Sequence, residues 1–394
     1  MDRRAFIQRA GAVTIVSIGG GSWYASGRGV FRAGQGPAFE PWTDWRNDRG
    51  PLALVRAALL AASPHNTQPW RFQVADSSIE MHLDRQRNVG ALDPFLREEY
   101  IGMGCALENL MLAAPANGFV AKATLVPGEL SSISPDPESE LVARLDLTPG
   151  PHEESELYRA IPRRHTNRSL YDRLRPLPSG FVDELRRLPE DSEGARLFLF
   201  TGEAERKKIA RISAAANLAL YSDPAVEAAS ERWIRLRQES VRKFRDGLTI
   251  DAFGLPPVTT ALAKTLPVPI LSGLVSRGQK DGYEDRMLAA PLIGFIAVRD
   301  RYDREQCLHA GRLWQRTHLL ATARGIAARP GNEAVEMVDY ERALSRPARQ
   351  LAQLGEITGD PTWQPTFVFL MGYPTGTAHA SPRRPLEEVL IGTL

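Results

Sequence analysis

The chain has 394 residues, 49 of them basic and 47 acidic, for a formal net charge of +2. Its 43% hydrophobic and 24% charged content is that of a soluble globular protein, and the length predicts two domain-sized units. These figures exclude a disordered, collagen-like or multi-span membrane chain and give no long-range field for nucleic acid; two cysteines, Cys105 and Cys307, are too few for a disulfide framework or a cysteine-based metal site.

The chain opens with Asp2-Arg3-Arg4-Ala5-Phe6-Ile7-Gln8, a short apolar run from Ala10 to Ile18, and Gly19-Gly20-Gly21. A charged start and a run too short to span a bilayer predict a signal peptide over 1–27, with 28–40 as a linker. The paired arginines resemble a twin-arginine export signal, which implies a translocase partner, export of the folded chain, and a place in the periplasm or cell envelope. An Ala/Leu-rich helix follows over 52–62 and stops at Ser63-Pro64. Alternating apolar or β-branched residues predict strands at 70–75, 79–84, 120–126 and 141–147, with a helix at 98–117. Beyond these the pattern predicts strands at 195–201, 292–298 and 365–372, and helices at 181–187, 204–218, 225–246 and 304–324. Helices mixed with short strands place the fold in the α+β class.

One internal repeat stands out. Gly104 to Gly118 lies over Gly311 to Gly325, with Leu112, Ala114 and Ala116 matching Leu319, Ala321 and Ala323. The first glycine of each is read as a helix start permitting close packing, the second as a left-handed helix cap. The preferred reading is two diverged copies of one unit.

The densest motif is Ser63-Pro64-His65-Asn66-Thr67-Gln68-Pro69-Trp70-Arg71-Phe72, a polar loop between a helix end and a strand. Asn66 and Gln68 each carry a carbonyl and an amino group, enough to read a flat heterocycle. Taken alone, the segment also reads as an Asn/Pro turn with a structural tryptophan. In Arg163-Arg164-His165-Thr166-Asn167-Arg168, arginines and a hydroxyl at alternate positions can fork onto a phosphate, although such a run alone reads as a solvated basic face. Arg383-Arg384 alone reads as a polar tail. The spacing of cysteines and histidines matches no metal pattern.

The string Ala-x-Ser-Pro-His-Asn-Thr-Gln-Pro-Trp-Arg-Phe closely resembles the signature loop of the FMN-dependent nitroreductase family. Arg163 to Arg168 resembles that family's Arg-x-Ser-x-Arg phosphate clamp, with Thr166 in place of serine, and Ser381-Pro382-Arg383-Arg384-Pro385-Leu386 resembles its C-terminal basic segment. Together with the export signal, the combination looks most like the tandem, Acg-like branch. The resemblance implies a nitroreductase-like α+β fold whose two tandem halves, 41–158 and 159–394, form a pseudo-dimer within one chain. It implies FMN as cofactor, with Ser63, Pro64, His65, Asn66 and Gln68 on the ring or ribityl side, and Arg164, Thr166, Arg168, Arg383 and Arg384 at the phosphate. No acid–base catalyst is identifiable. The implied activity is reduction of a nitroaromatic, quinone or similar small-molecule acceptor, with NAD(P)H or a membrane quinol as donor. The alternative is an exported flavin-binding or flavin-sequestering protein with little turnover, because NAD(P)H is cytoplasmic. The loop occurs only in the first half and the clamp only in the second, which predicts one complete site at their junction, in a monomeric pseudo-dimer or a loose oligomer. The Pro-stiffened stretch 221–290 is read as a lid over that site or, equally, as a surface embellishment or oligomer contact.

Overall fold

Residues 33–132, 139–188 and 194–392 are described by the structure, a computed structural model; the expected signal peptide and the first five residues of the expected linker lie outside them. Alternating apolar residues in β1 (Trp70–Ala75) and β2 (Ser78–Leu83) make an antiparallel hairpin in which Trp70 faces Leu83 and Val74 faces Ile79. With β3 (Phe119–Leu125) and β4 (Glu140–Pro149) they form a four-stranded antiparallel sheet of order β1-β2-β4-β3. Later strands are β5 (Ala195–Phe200), a two-residue parallel pair β6 (Ile234–Arg235) and β7 (Leu248–Thr249), then β8 (Leu292–Val298), β9 (Ala327–Pro330) and β10 (Gln364–Gly372). Strands β5, β8, β9 and β10 build a second antiparallel sheet, ordered β5-β8-β10-β9. In each sheet the second strand pairs with the first and fourth, and the third lies at an edge. The α+β expectation holds.

The helices that position the site are α1 (Pro51–Leu59), α2 (Arg97–Ala116), α3 (Pro257–Thr265), α4 (Val268–Lys280), α5 (Arg304–Ala323) and α6 (Glu333–Ala343). In each sheet a 20-residue helix, α2 or α5, joins the second strand to the third. These two helices pack on each other at glycine. A Cβ built on Gly104 would lie 2.2 Å from the Leu308 carbonyl oxygen and 2.9 Å from the Gly311 Cα; one on Gly311 would lie 2.0 Å from the Ile101 oxygen. The expectation that these glycines open their helices is corrected: both are interior, and they mark the crossing point. Gly118 and Gly325 do follow the last turns, at φ 78° and 68°, as left-handed caps. Around the crossing one apolar cluster runs unbroken from Trp70 and Phe72 through Met103 and Leu107 to Leu308, Leu313 and Phe369. Each large side chain fully buried there contributes about 1.5–3 kcal/mol.

Two regions depart from expectation. The helix read over 225–246 is broken into Pro224–Glu231 and Gln238–Phe244. Between them Trp233 is buried with its Nε1 donating to the Asn88 carbonyl at 2.9 Å, and β6 pairs with β7. The proline-rich stretch that followed is helical: Pro257 opens α3, and α4 begins directly after Pro267, where a fixed φ favours the first turn. Gly104→Ala is expected to destabilise by about 3 kcal/mol, the upper end of overpacking costs, because backbone on both helices must move. Gly273→Ala, inside α4 with nothing within 4 Å of the new Cβ, is expected to stabilise by up to about 1 kcal/mol. Urea unfolding of both variants checks the contrast.

Candidate functional site

After α1 the chain bends through a 3-10 turn at Pro64–Asn66, with His65, Asn66 and Gln68 all at positive φ (44°, 58° and 52°). Three non-glycine residues in four in that region store strain of order 1–3 kcal/mol each, held only because the surroundings over-determine it. The restraints are specific. The Gln68 amide donates to Ser63 Oγ at 3.1 Å, and Thr67 Oγ1 donates to Glu99 Oε2 of α2 at 3.0 Å. Gly102 lets the loop close on α2, since a Cβ there would lie 3.1 Å from Pro64 Cδ.

Asn66 and Gln68 do not present their amides to open space, as reading a heterocycle requires. Asn66 Nδ2 donates to the Pro382 carbonyl at 2.9 Å, and its Oδ1 accepts from Arg383 Nη1 at 2.6 Å. Gln68 Nε2 donates to the Arg245 carbonyl at 2.9 Å, and its Oε1 accepts the Arg384 amide at 2.8 Å. Both amides therefore stitch the loop to the C-terminal segment and to the chain near 245–247. Arg384 shares in that stitching, through Gln68 and the Glu388 carbonyl.

Arg164 and Arg383 are both buried, and neither pairs with a carboxylate among the described residues. Arg164 Nη2 donates to the Leu60 carbonyl and Arg383 Nη2 to that of Ala61, but the Nε of each has no partner. Beside them His165 Nδ1 and both ring nitrogens of His318 are also buried without partners. Burial lowers Arg164 to about 10; burial and then the Arg164 charge push Arg383 well down. His165 is held at about 3 by burial, then by both arginines. Unmatched buried cations are costly, and here they cluster.

Ser63, Pro64, His65, Thr166 and Arg168 line a cavity of about 860 Å³, whereas Asn66, Gln68, Arg164, Arg383 and Arg384 do not. The volume is that of a small-molecule or cofactor site. Cys105 and Trp314 share its wall, and Trp314 stacks on His318 at 4.9 Å, so the unmatched cations lie just behind it. Burial, then Arg329, lowers Arg168 to about 10, and Arg329 Nε is buried and unpartnered. His65 Nε2 lies 3.0 Å from Ser230 Oγ, and burial followed by the Arg168 charge holds its imidazole at about 4. Residues of α3 and α4, including Ala263, Leu271 and Val275, wall the opposite side.

Sequence reading missed the acidic end of the cavity. Glu98, Glu333 and Glu336 face it, the last two from the start of α6, and burial raises all three carboxyls. Glu98 Oε1 accepts from Asn332 at 2.8 Å, and Glu333 from the Tyr283 hydroxyl. The only signal in the sequence is a pair of glutamates three apart after Gly331-Asn332, which by itself is an ordinary helix start.

No family model matches the chain. Over 132 residues it is 31% identical to a Mycobacterium tuberculosis (strain H37Rv) protein named "Putative NAD(P)H nitroreductase Rv3131", covering 33% of this chain and 36% of that one. Over 75 residues it is 35% identical to another protein of that strain, "Putative NAD(P)H nitroreductase acg", covering 19% and 23%. The chain thus spans about a third or less of the length of the curated relatives it matches. Among solved structures, the FMN-dependent nitroreductase NfnB from Mycobacterium smegmatis in complex with NADPH aligns at 16% identity and TM-score 0.37, over 61% of this chain and 98% of that one. A nitroreductase with bound FMN from Desulfitobacterium hafniense aligns at 12% identity and TM-score 0.37, over 61% and 100%.

Beneath the acidic end Asp93 is fully buried, its Oδ2 accepting the Glu98 and Glu99 amides at 2.9 and 3.1 Å. Burial pushes its carboxyl from 3.8 up to about 8, against the pull of Arg97. A folded-state value above the unfolded one stabilises fully below 3.8, and that stability is lost as pH rises through about 8. Asp93→Asn keeps an acceptor oxygen without the titration. The variant is expected to gain on the wild type steadily between pH 4 and 8, read from unfolding midpoints across that range; a constant difference contradicts the assignment.

Proposed function

We propose that the chain is an FMN-dependent oxidoreductase of nitroreductase type, made of two diverged copies of one unit sharing one flavin site, and exported folded through the twin-arginine pathway. One observation carries the flavin reading: Arg164 and Arg383 bury two unmatched guanidinium groups, with orphaned His165 and His318, directly behind the wall of the cavity. That donor set lacks an anion, and a flavin phosphate fits it in charge and hydrogen-bonding capacity. The resemblance of residues 63–72 to the nitroreductase signature loop and the names of the M. tuberculosis relatives support the same class.

In this reading Arg164 and Arg383 act on the phosphate by their charge from behind the wall, while Thr166 and Arg168 meet it from the cavity side. Ser63, Pro64 and His65 shape the wall that the ring system meets, and Asn66, Gln68 and Arg384 act indirectly by fixing that wall. The bound flavin supplies two-electron transfer from NAD(P)H or a quinol to a nitroaromatic, quinone or similar acceptor. Around it the chain's residues do three things. The strained loop holds the His65 ring neutral against Ser230 Oγ. Leu271, Val275 and Phe253 exclude water. Glu336, its carboxyl raised well above the ordinary range by burial, is placed to hold a proton at the cavity wall.

Arg164→Met separates phosphate binding from general packing. FMN affinity is expected to fall about tenfold, as a nearby buried positive charge is lost, while riboflavin affinity stays unchanged. Equal losses for the two flavins contradict the phosphate assignment. The purified chain is expected to be yellow and to bleach anaerobically with NADPH or a reduced quinone. A yellow protein that neither donor bleaches supports the flavin-sequestering alternative, and a colourless one that takes up no FMN ends both readings.

A further inference from the structure

Residues 37–45 form a strap across the buried arginines. It begins with the 3-10 helix Pro37–Trp42, and Ala38, Phe39 and Trp42 are buried in the main apolar cluster. Two hydrogen bonds stitch the strap to the C-terminal segment. Trp42 Nε1 donates to the Ser381 carbonyl at 2.7 Å, and the Arg383 amide donates to the Ala38 carbonyl at 2.7 Å. Trp45 anchors the far end separately, with its ring 5.1 Å from that of Tyr158.

Trp42 meets three members of the unmatched cluster. The Arg383 guanidinium lies 4.6 Å from its ring centroid and that of Arg164 5.9 Å, and the His165 ring meets it edge-on at 4.5 Å. The indole is uncharged. Its negative face attracts both cations, most strongly where water is excluded, and neutralises neither. The charge here has one sign. The titratable groups that act on Arg164, Arg383, His165 and His318 are one another, His379 and the Cys105 thiol, with no carboxylate among the described residues. Acids in and just after the strap are engaged elsewhere: Asp44 accepts from Thr43 Oγ1 at 3.0 Å, Asp48 pairs with Arg56, and Glu40 is exposed.

Two like charges side by side in a low dielectric repel each other, and Trp42 carries part of that load into the strap. An anion in front of the pair relieves it. From Arg383 the contact runs on to the cavity, because its Nη1 donates to Asn66 Oδ1 at 2.6 Å, in the loop whose Pro64 and His65 line the wall.

We propose that Trp42 is a positioning residue for a phosphate-bearing flavin: it fixes the Arg383 guanidinium behind the cavity wall, and binding of the anion in turn holds the strap closed. This rests on the flavin-phosphate reading above. Coupling between two sites is reciprocal, so the strap favours the anion by the same factor as the anion favours the closed strap. Riboflavin carries the same ring system without the phosphate and lacks that coupling.

Hydrogen exchange of the full wild-type chain reads the strap directly, since the Arg383 amide is freed when its bond to Ala38 opens. Saturating FMN is expected to slow exchange at Arg383 and across 38–45 about tenfold, while saturating riboflavin leaves it unchanged. In flavin titrations Trp42→Leu is expected to weaken FMN binding about tenfold with riboflavin unaffected, and Trp42→Phe, which keeps an aromatic face, to recover most of that loss. Equal slowing by both flavins overturns the proposal, as does FMN that binds without slowing exchange. A Trp42→Leu chain that keeps the wild-type preference for FMN over riboflavin overturns it as well. A wild-type chain that binds neither flavin ends the flavin reading by itself, and inorganic phosphate then replaces FMN as the probe. Slowed exchange at Arg383 with phosphate upholds the coupling of strap and anion; unchanged exchange overturns it.

Discussion

Everything at the cavity depends on two helices touching at backbone distance. Gly104 and Gly311 have no side chain to hold α2 and α5 apart, and any Cβ at either position would sit inside the opposing backbone. Close approach of the two helices brings the start of α2, with Glu98, Ile101 and Gly102, under the strained loop that ends α1. The same approach sets Trp314 of α5 in the cavity wall. Gly102 repeats the device one half-turn earlier, admitting Pro64. Small residues thus set the spacing, and the spacing sets the site.

The site is a concentration of unfavourable terms. It holds three left-handed backbone residues, two buried guanidinium groups without counter-charge among the described residues, and several carboxyls raised by burial. Elsewhere the chain solves the same problem conventionally. Asp339, fully buried, accepts from Arg97 Nε at 2.7 Å, Arg301 Nη2 at 3.0 Å and the Tyr302 hydroxyl at 2.9 Å, so both cations are matched. The contrast is informative. A fold that can pair buried arginines with carboxylates leaves Arg164 and Arg383 without one among the described residues, and strain that persists beside a cavity points to a ligand.

How much of this could be read from residues alone follows the range of the signals. Strands such as 70–75 and 292–298 and helices such as 98–117 and 304–324 were legible within a residue or two, because their periodicity is local and strong. Gly104 and Gly311 were visible as a repeat, but their meaning was not: a helix crossing is a tertiary fact that neither segment contains. Proline misled twice in the same way. Around 257 and 267 it reads as loop stiffening, and it starts helices. The loop at 63–68 stands out in the sequence, and Thr166 and Arg168 line the same cavity as Ser63, Pro64 and His65. The division of labour inside it was not legible, because the Asn66 and Gln68 partners lie more than 170 positions away, at 245–247 and 382–384. Glu333 and Glu336 carried no local mark at all.

A single shared flavin site is the claim on which the functional account stands, and its number per chain is measurable. The full chain, stripped of bound flavin and titrated with FMN by isothermal calorimetry, is predicted to bind one equivalent per chain. Two equivalents would mean that each unit is complete in itself, and no binding would mean that the unmatched arginines serve some other anion; either result contradicts the account.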